Sequence, residues 1–192
     1  MKYLMICEKP SLMRECKACY MNHKDEIEEK IGELEFVTLI GHICGYYEPD
    51  EYDEWTDLKW DKVDYPMIPT GWGIKMINNP FNQKAMKQIR EFGKEVDGYI
   101  VGTDSDAEGY GIYYLLENYL KITNKKALRF IEHSLTDLEI LDSFLAMTDY
   151  HTDEVHKHFT QSFVLRSRAD WLYGMNATRM MSVKSGEVMA IG

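Results

Sequence analysis

Hydrophobic positions along the chain change repeatedly between two periods. Short continuous apolar runs occupy residues 3–7, 36–40, 99–101 and 128–131, a length typical of buried strands. Apolar residues that recur every three or four positions indicate helices between these runs, beginning near residues 11, 85, 109 and 138. Strands that alternate with helices predict an α/β fold with a parallel sheet and right-handed crossovers.

The periodicity changes at two places. Residues 48–64 hold eight acidic residues, and the proline-rich stretch YPMIPTGW follows, so we expect an irregular solvated segment there. From about His151 the pattern becomes one continuous helix without further strands. We therefore predict an α/β domain at residues 1–150 and the beginning of a following helical domain at residues 151–192.

Two helix ends have recognisable signals. Gly93 follows the apolar positions that end at Phe92, and we expect it to cap that helix in the left-handed conformation. Thr136 and Glu139 have the spacing of a capping box, which predicts a helix that begins at this point.

The composition narrows the possible functions. The 192 residues include 45% hydrophobic residues, and no apolar stretch approaches the roughly 20 residues that span a bilayer. The first segment turns acidic too early for a signal peptide, so we predict a cytoplasmic protein without membrane contact. A net charge of −10 argues against nonspecific nucleic-acid binding by the chain as a whole, but it does not exclude a local basic site.

The four cysteines fit a reducing compartment. Cys16 and Cys19 form a CxxC, which is compatible with half of a zinc site or a redox pair. No second CxxC or HxxxH pair completes a tetrahedral set, and the spacing equally fits one face of a helix. We favour the helical face and assign no metal to these cysteines.

Carboxylates follow two of the predicted strands directly. Glu8 follows the first strand with Lys9 beside it, and Asp104, Asp106 and Glu108 follow the third. Because ligands bind at the carboxyl ends of strands in such sheets, we expect these side chains to share one crevice. An oxygen-only donor set suits Mg²⁺, and Lys9 adds a positive charge for a phosphate. The alternative is that the acids only cap the next helix.

These residues belong to a series of motifs that runs along the chain. In chain order the motifs are ICEKPS, IGHICGYYEP, YPMIPTGW, GTDSDAEG, IEHSLTDLEI and RSRADWLYGMNATR. They resemble the Toprim domain of type IA DNA topoisomerases, in particular the topoisomerase III-like branch. The resemblance covers essentially the whole chain and implies a four-stranded parallel Toprim (Rossmann-like) sheet flanked by helices, followed by the start of a helical domain. It also implies single-strand DNA breakage, strand passage and rejoining without ATP.

The resemblance implies a role for each matching residue. Glu8 would transfer a proton at the scissile phosphodiester, and Lys9 would be its supporting cation. The Mg²⁺ ligands would be Asp104, Asp106 and Glu108. The DNA backbone would be positioned by Arg166, Arg168, Asp170 and Arg179. His42 matches a family histidine and is equally well explained as a turn residue. We expect the partner to be DNA with single-stranded regions and the protein to be a monomer.

Two departures and one gap qualify the resemblance. Ala107 stands where the family has an arginine, and Tyr110 stands where it has a glutamate. The family's attacking tyrosine lies in a distant domain, and the chain ends before it, so we expect an N-terminal fragment that does not relax DNA alone. The alternatives are a free-standing Toprim nuclease or primase-like protein, and a noncatalytic remnant that only binds DNA or a partner.

Overall fold

The computed structural model describes residues 1–191, and a five-stranded sheet forms its centre. The strand order is β2-β1-β5-β6-β7; the first four strands are parallel, and β7 runs antiparallel to β6. A separate antiparallel hairpin pairs β3 with β4. The strands are β1 (Lys2–Cys7), β2 (Glu33–Thr38), β3 (Cys44–Tyr46), β4 (Ile74–Met76), β5 (Gly98–Gly102), β6 (Lys126–Arg129) and β7 (Thr148–Asp149).

Helices cover both faces of this sheet. The chain crosses from each parallel strand to the next through at least one helix, as a parallel sheet requires. The helices are α1 (Pro10–Asn22), α2 (Lys24–Lys30), α3 (Pro80–Phe92), α4 (Ala107–Leu120), α5 (Asp137–Leu145) and α6 (Glu154–Ser185). None of the helices in residues 1–191 combines the length and the apolar character needed to cross a membrane.

The α/β prediction with a mostly parallel sheet is confirmed, and the four predicted strands form its parallel part. The sequence pattern missed β7, which has two residues, and the β3–β4 hairpin at the borders of the irregular segment. Elements of two or three residues are too short to establish a hydrophobic period.

The two predicted helix ends fall near the right positions but use different contacts. Gly93 has φ −58°, so the left-handed cap was wrong; its N–H instead donates to the carbonyl of Ile89 at 2.8 Å and continues the right-handed turn. Helix α5 begins after Thr136, but that side chain makes no cap hydrogen bond. Its hydroxyl oxygen accepts from the hydroxyl of Ser134 at 3.3 Å instead.

The core has two layers, one on each side of the sheet. Leu4 and Ile6 of β1 face the cluster formed with α3 and α4, whereas Met5 and Cys7 face the cluster formed with α1 and α5. All four side chains are fully buried. Buried strand residues that alternate between two apolar layers explain why β1 reads as a continuous hydrophobic run.

Helix α6 contacts both the α/β core and the segment between β3 and β4. Phe163 packs against Gly111 of α4, where an added Cβ would overlap the phenylalanine ring. Farther along, the Trp171 indole N–H donates to the carbonyl of Tyr47 at 2.8 Å. The Asn176 side chain bonds both the N–H and the carbonyl of Met67, at 2.6 and 3.0 Å. The division at residue 150 stays a prediction.

Candidate functional site at the acidic edge of the sheet

The carboxyl ends of β1 and β5 meet because these strands are parallel neighbours with Cys7 opposite Gly102. The backbone N–H of Glu8 donates to the carbonyl of Gly102 at 3.1 Å. In return, the N–H of Asp104 donates to Oε2 of Glu8 at 2.9 Å. The two strand ends are therefore bonded to each other through a carboxylate. We call Glu8, Lys9, Asp104, Asp106 and Glu108 the acidic edge.

Lys9 is the cation nearest to the strand-end aspartate. Its ammonium group lies 2.6 Å from Oδ2 of Asp104. The hydrogen bond to Asp104 and the charge of that carboxylate raise the pKa of Lys9 above its ordinary value, so the amine is charged at neutral pH. The pair thus places one positive charge beside the carboxylate of Asp104.

Asp106 caps the helix that follows it, which is the structural alternative to metal binding. Its Oδ1 accepts the N–H of Gly109 at 2.8 Å and caps the N-terminus of α4. Gly109 lies so close to Asp104 that a Cβ would overlap the aspartate backbone. This tight turn holds Asp104 and Asp106 on one loop, and the second oxygen of the exposed Asp106 accepts no hydrogen bond from residues 1–191.

Glu108 faces α6 and the loop after β2. One of its carboxylate oxygens pairs with Arg166, and the other lies 3.3 Å from Nε2 of His42. Burial lowers the pKa of His42 below its ordinary value, which favours the neutral imidazole. A cavity of about 320 Å³ adjoins these three residues and is also lined by Asp170.

Arg129 binds the backbone of the loop that carries Asp104. The sequence pattern did not indicate this role. Arg129 is 1% exposed, and its guanidinium donates to the carbonyls of Val101 at 2.7 Å and of Thr103 and Asp104 at 2.8 Å each. The carbon of the guanidinium lies 4.5 Å from the ring centroid of Tyr110. The only sequence signal was an arginine at the end of an apolar strand, where a buried cation needs partners.

The structure shows the surroundings of Tyr110 and Ala107, the two departures from the family pattern. Tyr110 is 1% exposed and covers Arg129 with its ring, while its hydroxyl bonds Nδ1 of His156 at 2.8 Å. Ala107 is the first residue of α4 and brings no charge. Arg166 of α6 contacts Glu108 instead, so a cation still lies beside the acidic edge.

The remaining arginines predicted to bind DNA are engaged elsewhere. Arg168 lies over the rings of Trp72 and Tyr46, with its guanidinium carbon 5.0 and 5.9 Å from their centroids. Arg179 is 6% exposed and pairs with Asp50 at 2.8 Å. The contacts of both side chains hold the irregular segment against α6, and a role in DNA binding stays a prediction.

The donor chemistry of the acidic edge fits a hard cation such as Mg²⁺. All the candidate ligands are carboxylate oxygens, and Asp104 and Glu108 each share an oxygen with a cationic side chain. Within residues 1–191, however, no three acidic-edge carboxylates bring ligand atoms within 4.8 Å of one another. A cation held by one or two carboxylates and by waters matches this spacing.

The order of the strands, the acidic residues after β1 and β5 and the turn into α4 together indicate the class of domain to which the chain belongs. The Toprim domain family matches residues 3–133, and the chain belongs to this family.

Similarity to curated proteins extends beyond that domain. The chain is 31% identical over its whole length to a DNA topoisomerase 3 of Vibrio cholerae, of which it covers 30%. It is 29% identical to the DNA topoisomerase 3 of Staphylococcus haemolyticus over 26% of that protein, and 29% identical to that of Bacillus cereus over 25%. The chain thus spans less than a third of the length of these relatives.

Proposed function

We propose that the chain supplies the acidic, metal-binding half of the active site of a type IA DNA topoisomerase. The observation that supports this most directly is the bonding of Glu8, Lys9 and Asp104 across the ends of β1 and β5. The similarity to DNA topoisomerase 3 proteins continues through α6 beyond the Toprim match, which favours this activity over a Toprim nuclease or primase. The substrate would be DNA with single-stranded regions.

Each residue of the acidic edge has a proposed task. Asp104, Asp106 and Glu108 would hold Mg²⁺, one or two of them directly and the rest through bound water, and the ion when bound offsets the charge of a phosphodiester. Lys9 would contact a phosphate oxygen, since its ammonium is exposed and needs only to turn from Asp104. Glu8 would move a proton at the scissile oxygen, because one of its two carboxylate oxygens is engaged by the Asp104 N–H and the other is not.

We propose that the attacking tyrosine is supplied from outside these 192 residues. Three tyrosines follow the acidic edge on α4: Tyr110, Tyr113 and Tyr114. Tyr110 and Tyr113 are each 1% exposed. Burial raises the pKa of Tyr113 and Tyr114, which disfavours the phenolate that an attack needs. Tyr110 and Tyr113 are buried and Tyr114 is half-buried, so these phenols are unsuited to reach a DNA strand.

A chimera tests the proposed activity. The region of the Vibrio cholerae relative that matches this chain is replaced by residues 1–192, and relaxation of negatively supercoiled DNA is measured without ATP. We expect Mg²⁺-dependent relaxation that is lost in the Asp104→Asn/Asp106→Asn variant. A folded chimera that stays inactive would count against the proposal, and so would metal-dependent cleavage of single-stranded DNA by the 192-residue chain alone.

Metal binding is tested on the chain itself, independently of the chimera. Mn²⁺ is titrated into the wild type, into Asp104→Asn/Asp106→Asn and into the control Asp61→Asn/Asp64→Asn, whose aspartates are exposed in the irregular segment. We expect weaker binding only in the first variant. Equal binding by all three proteins would exclude Asp104 and Asp106 as ligands.

A further inference from the structure

A second cluster of possible ligands lies away from the acidic edge, between α1 and α5. Cys19 belongs to the last turns of α1, His23 directly follows that helix, and Asp137 is the first residue of α5. Cys19 and His23 are four residues apart, a spacing that places two side chains on the same face of a helix. The fold therefore brings a sulfur, a nitrogen and an oxygen donor together from segments more than 110 residues apart in sequence.

The donor atoms are close enough for one cation. Nε2 of His23 lies 2.6 Å from Oδ2 of Asp137, and Sγ of Cys19 lies 3.4 Å from the carbonyl oxygen of Asp137. One ligand atom from each residue can be chosen so that all lie within 4.8 Å of one another. Tetrahedral zinc bonds of about 2.0 to 2.3 Å separate ligand atoms by roughly 3 to 4 Å, so side-chain adjustments of about 1 Å are sufficient.

We propose that Cys19, His23 and Asp137 bind a Zn²⁺-type cation, with water as the fourth ligand. Thiolate and imidazole donors favour zinc over Mg²⁺, which distinguishes this cluster from the all-oxygen acidic edge. Bound metal would link the end of α1 to the start of α5. Within the described residues it is the only group of three such side chains with this proximity.

Only one cysteine of the CxxC motif belongs to the proposed site. Cys16 is fully buried in the apolar layer beneath α1 and is not a member of the cluster. Cys19 finds its partners in His23, one helical turn later, and in Asp137. His23 and Asp137, rather than Cys16 or a second CxxC, therefore supply the other protein ligands of the proposed site.

An ion can reach the cluster from solvent. The side chains of His23 and Asp137 are 25% and 44% exposed, whereas Cys19 forms the buried floor. Binding would break the His23–Asp137 hydrogen bond and release the thiol proton of Cys19 to solvent, leaving the thiolate on the metal. Asn22, which donates to Oδ1 of Asp137 at 3.1 Å, would continue to orient that carboxylate.

Cobalt titration tests the site, because a thiolate bound to Co²⁺ gives a charge-transfer band in the near ultraviolet and oxygen ligands do not. We expect this band in the wild type and in the matched control Cys16→Ser. In Cys19→Ser the band should vanish, and in His23→Gln the affinity should fall by at least about tenfold. No band in the wild type, or an unchanged band in Cys19→Ser, would overturn the proposal.

Melting temperatures provide a second test of the site, one that does not require Cys19→Ser to fold. Because a ligand that binds only the folded state stabilises it, Zn²⁺ should raise the melting temperature of the wild type and of Cys16→Ser. The variant His23→Gln changes a half-buried side chain, retains the buried thiol and should lose most of this shift. An equal shift in His23→Gln and the wild type would place the zinc elsewhere and refute the site.

Discussion

The ammonium group of Lys9 lies 2.6 Å from Oδ2 of Asp104 and joins the segments that follow β1 and β5. The same aspartate is a proposed Mg²⁺ ligand. Under the proposed function, lysine and metal would therefore compete for one carboxylate until a phosphate attracts the lysine. This competition allows the two halves of the proposed chemistry to be measured separately.

Removing the charge of Lys9 should affect metal and phosphate in opposite directions. In Lys9→Met, Asp104 loses its protein cation, so we expect Mn²⁺ to bind about two- to tenfold more tightly, an electrostatic effect of roughly 0.4 to 1.4 kcal/mol. Binding of short single-stranded DNA should become weaker. Calorimetry with Mn²⁺ and fluorescence anisotropy with labelled DNA measure the two effects.

Lys17→Met is the matched control for that experiment. Lys17 is exposed on α1 and makes no ion pair in the described part of the chain. Lys17→Met should leave the affinities for Mn²⁺ and for single-stranded DNA close to the wild-type values. Weaker Mn²⁺ binding in Lys9→Met would show that the lysine assists the metal rather than competing with it.

Replacement of Arg129 should destabilise the whole fold. Arg129→Met leaves the carbonyls of Thr103 and Asp104 without the guanidinium that they share, and we expect a loss of about 3 kcal/mol or more in unfolding free energy. Urea denaturation measures the loss. The exposed control Arg14→Met should stay within about 0.5 kcal/mol of the wild type. Equal stabilities of the two variants would mean that Arg129 is dispensable for the strand end.

Two glycines should respond to alanine in opposite ways. A Cβ at Gly111 would overlap the ring of the buried Phe163, so Gly111→Ala should cost about 1 to 3 kcal/mol. At Gly174 in α6 the nearest atom would be the carbonyl oxygen of Ile191 at 3.8 Å, an ordinary contact. Gly174→Ala should therefore stabilise the protein by about 0.5 to 1 kcal/mol, as expected for alanine within a helix. Thermal unfolding of both variants checks the pair, and a stabilising Gly111→Ala would contradict the close packing of α4 and α6.

The buried Glu117 predicts a pH-dependent stability difference. Burial raises its pKa above the ordinary value of 4.5, against the opposing effect of His151 at 2.9 Å. A raised pKa means that the protonated form stabilises the fold below pH 4.5 and that this contribution is lost as the pH rises through the folded-state value. Glu117→Gln cannot ionise, so its stability relative to the wild type should improve from about pH 4 to about pH 7.

Unfolding free energies at several pH values test this direction. The exposed control Glu139→Gln on α5 should give a nearly constant difference from the wild type across the same range. A Glu117→Gln curve that runs parallel to the wild-type curve would show that the glutamate titrates alike in the folded and unfolded protein.

The sequence by itself determined the α/β fold and the neighbouring strand ends. Its hydrophobic period identifies all four parallel strands, and a strand that ends in Glu8 or Asp104 must present that residue where parallel neighbours end together. These are local properties of the chain. They depend on spacing along the backbone and need no knowledge of distant contacts.

Only the tertiary structure decided what each side chain contacts. Arg129 lies 25 residues after Asp104, Arg166 pairs with Glu108 across 58 positions, and Asp137 reaches His23 across 114. No periodicity encodes such pairs, because they arise when elements that are distant in the sequence pack side by side in the folded chain. The same packing pairs Arg179 with Asp50 and places Cys19, rather than Cys16, beside His23 and Asp137.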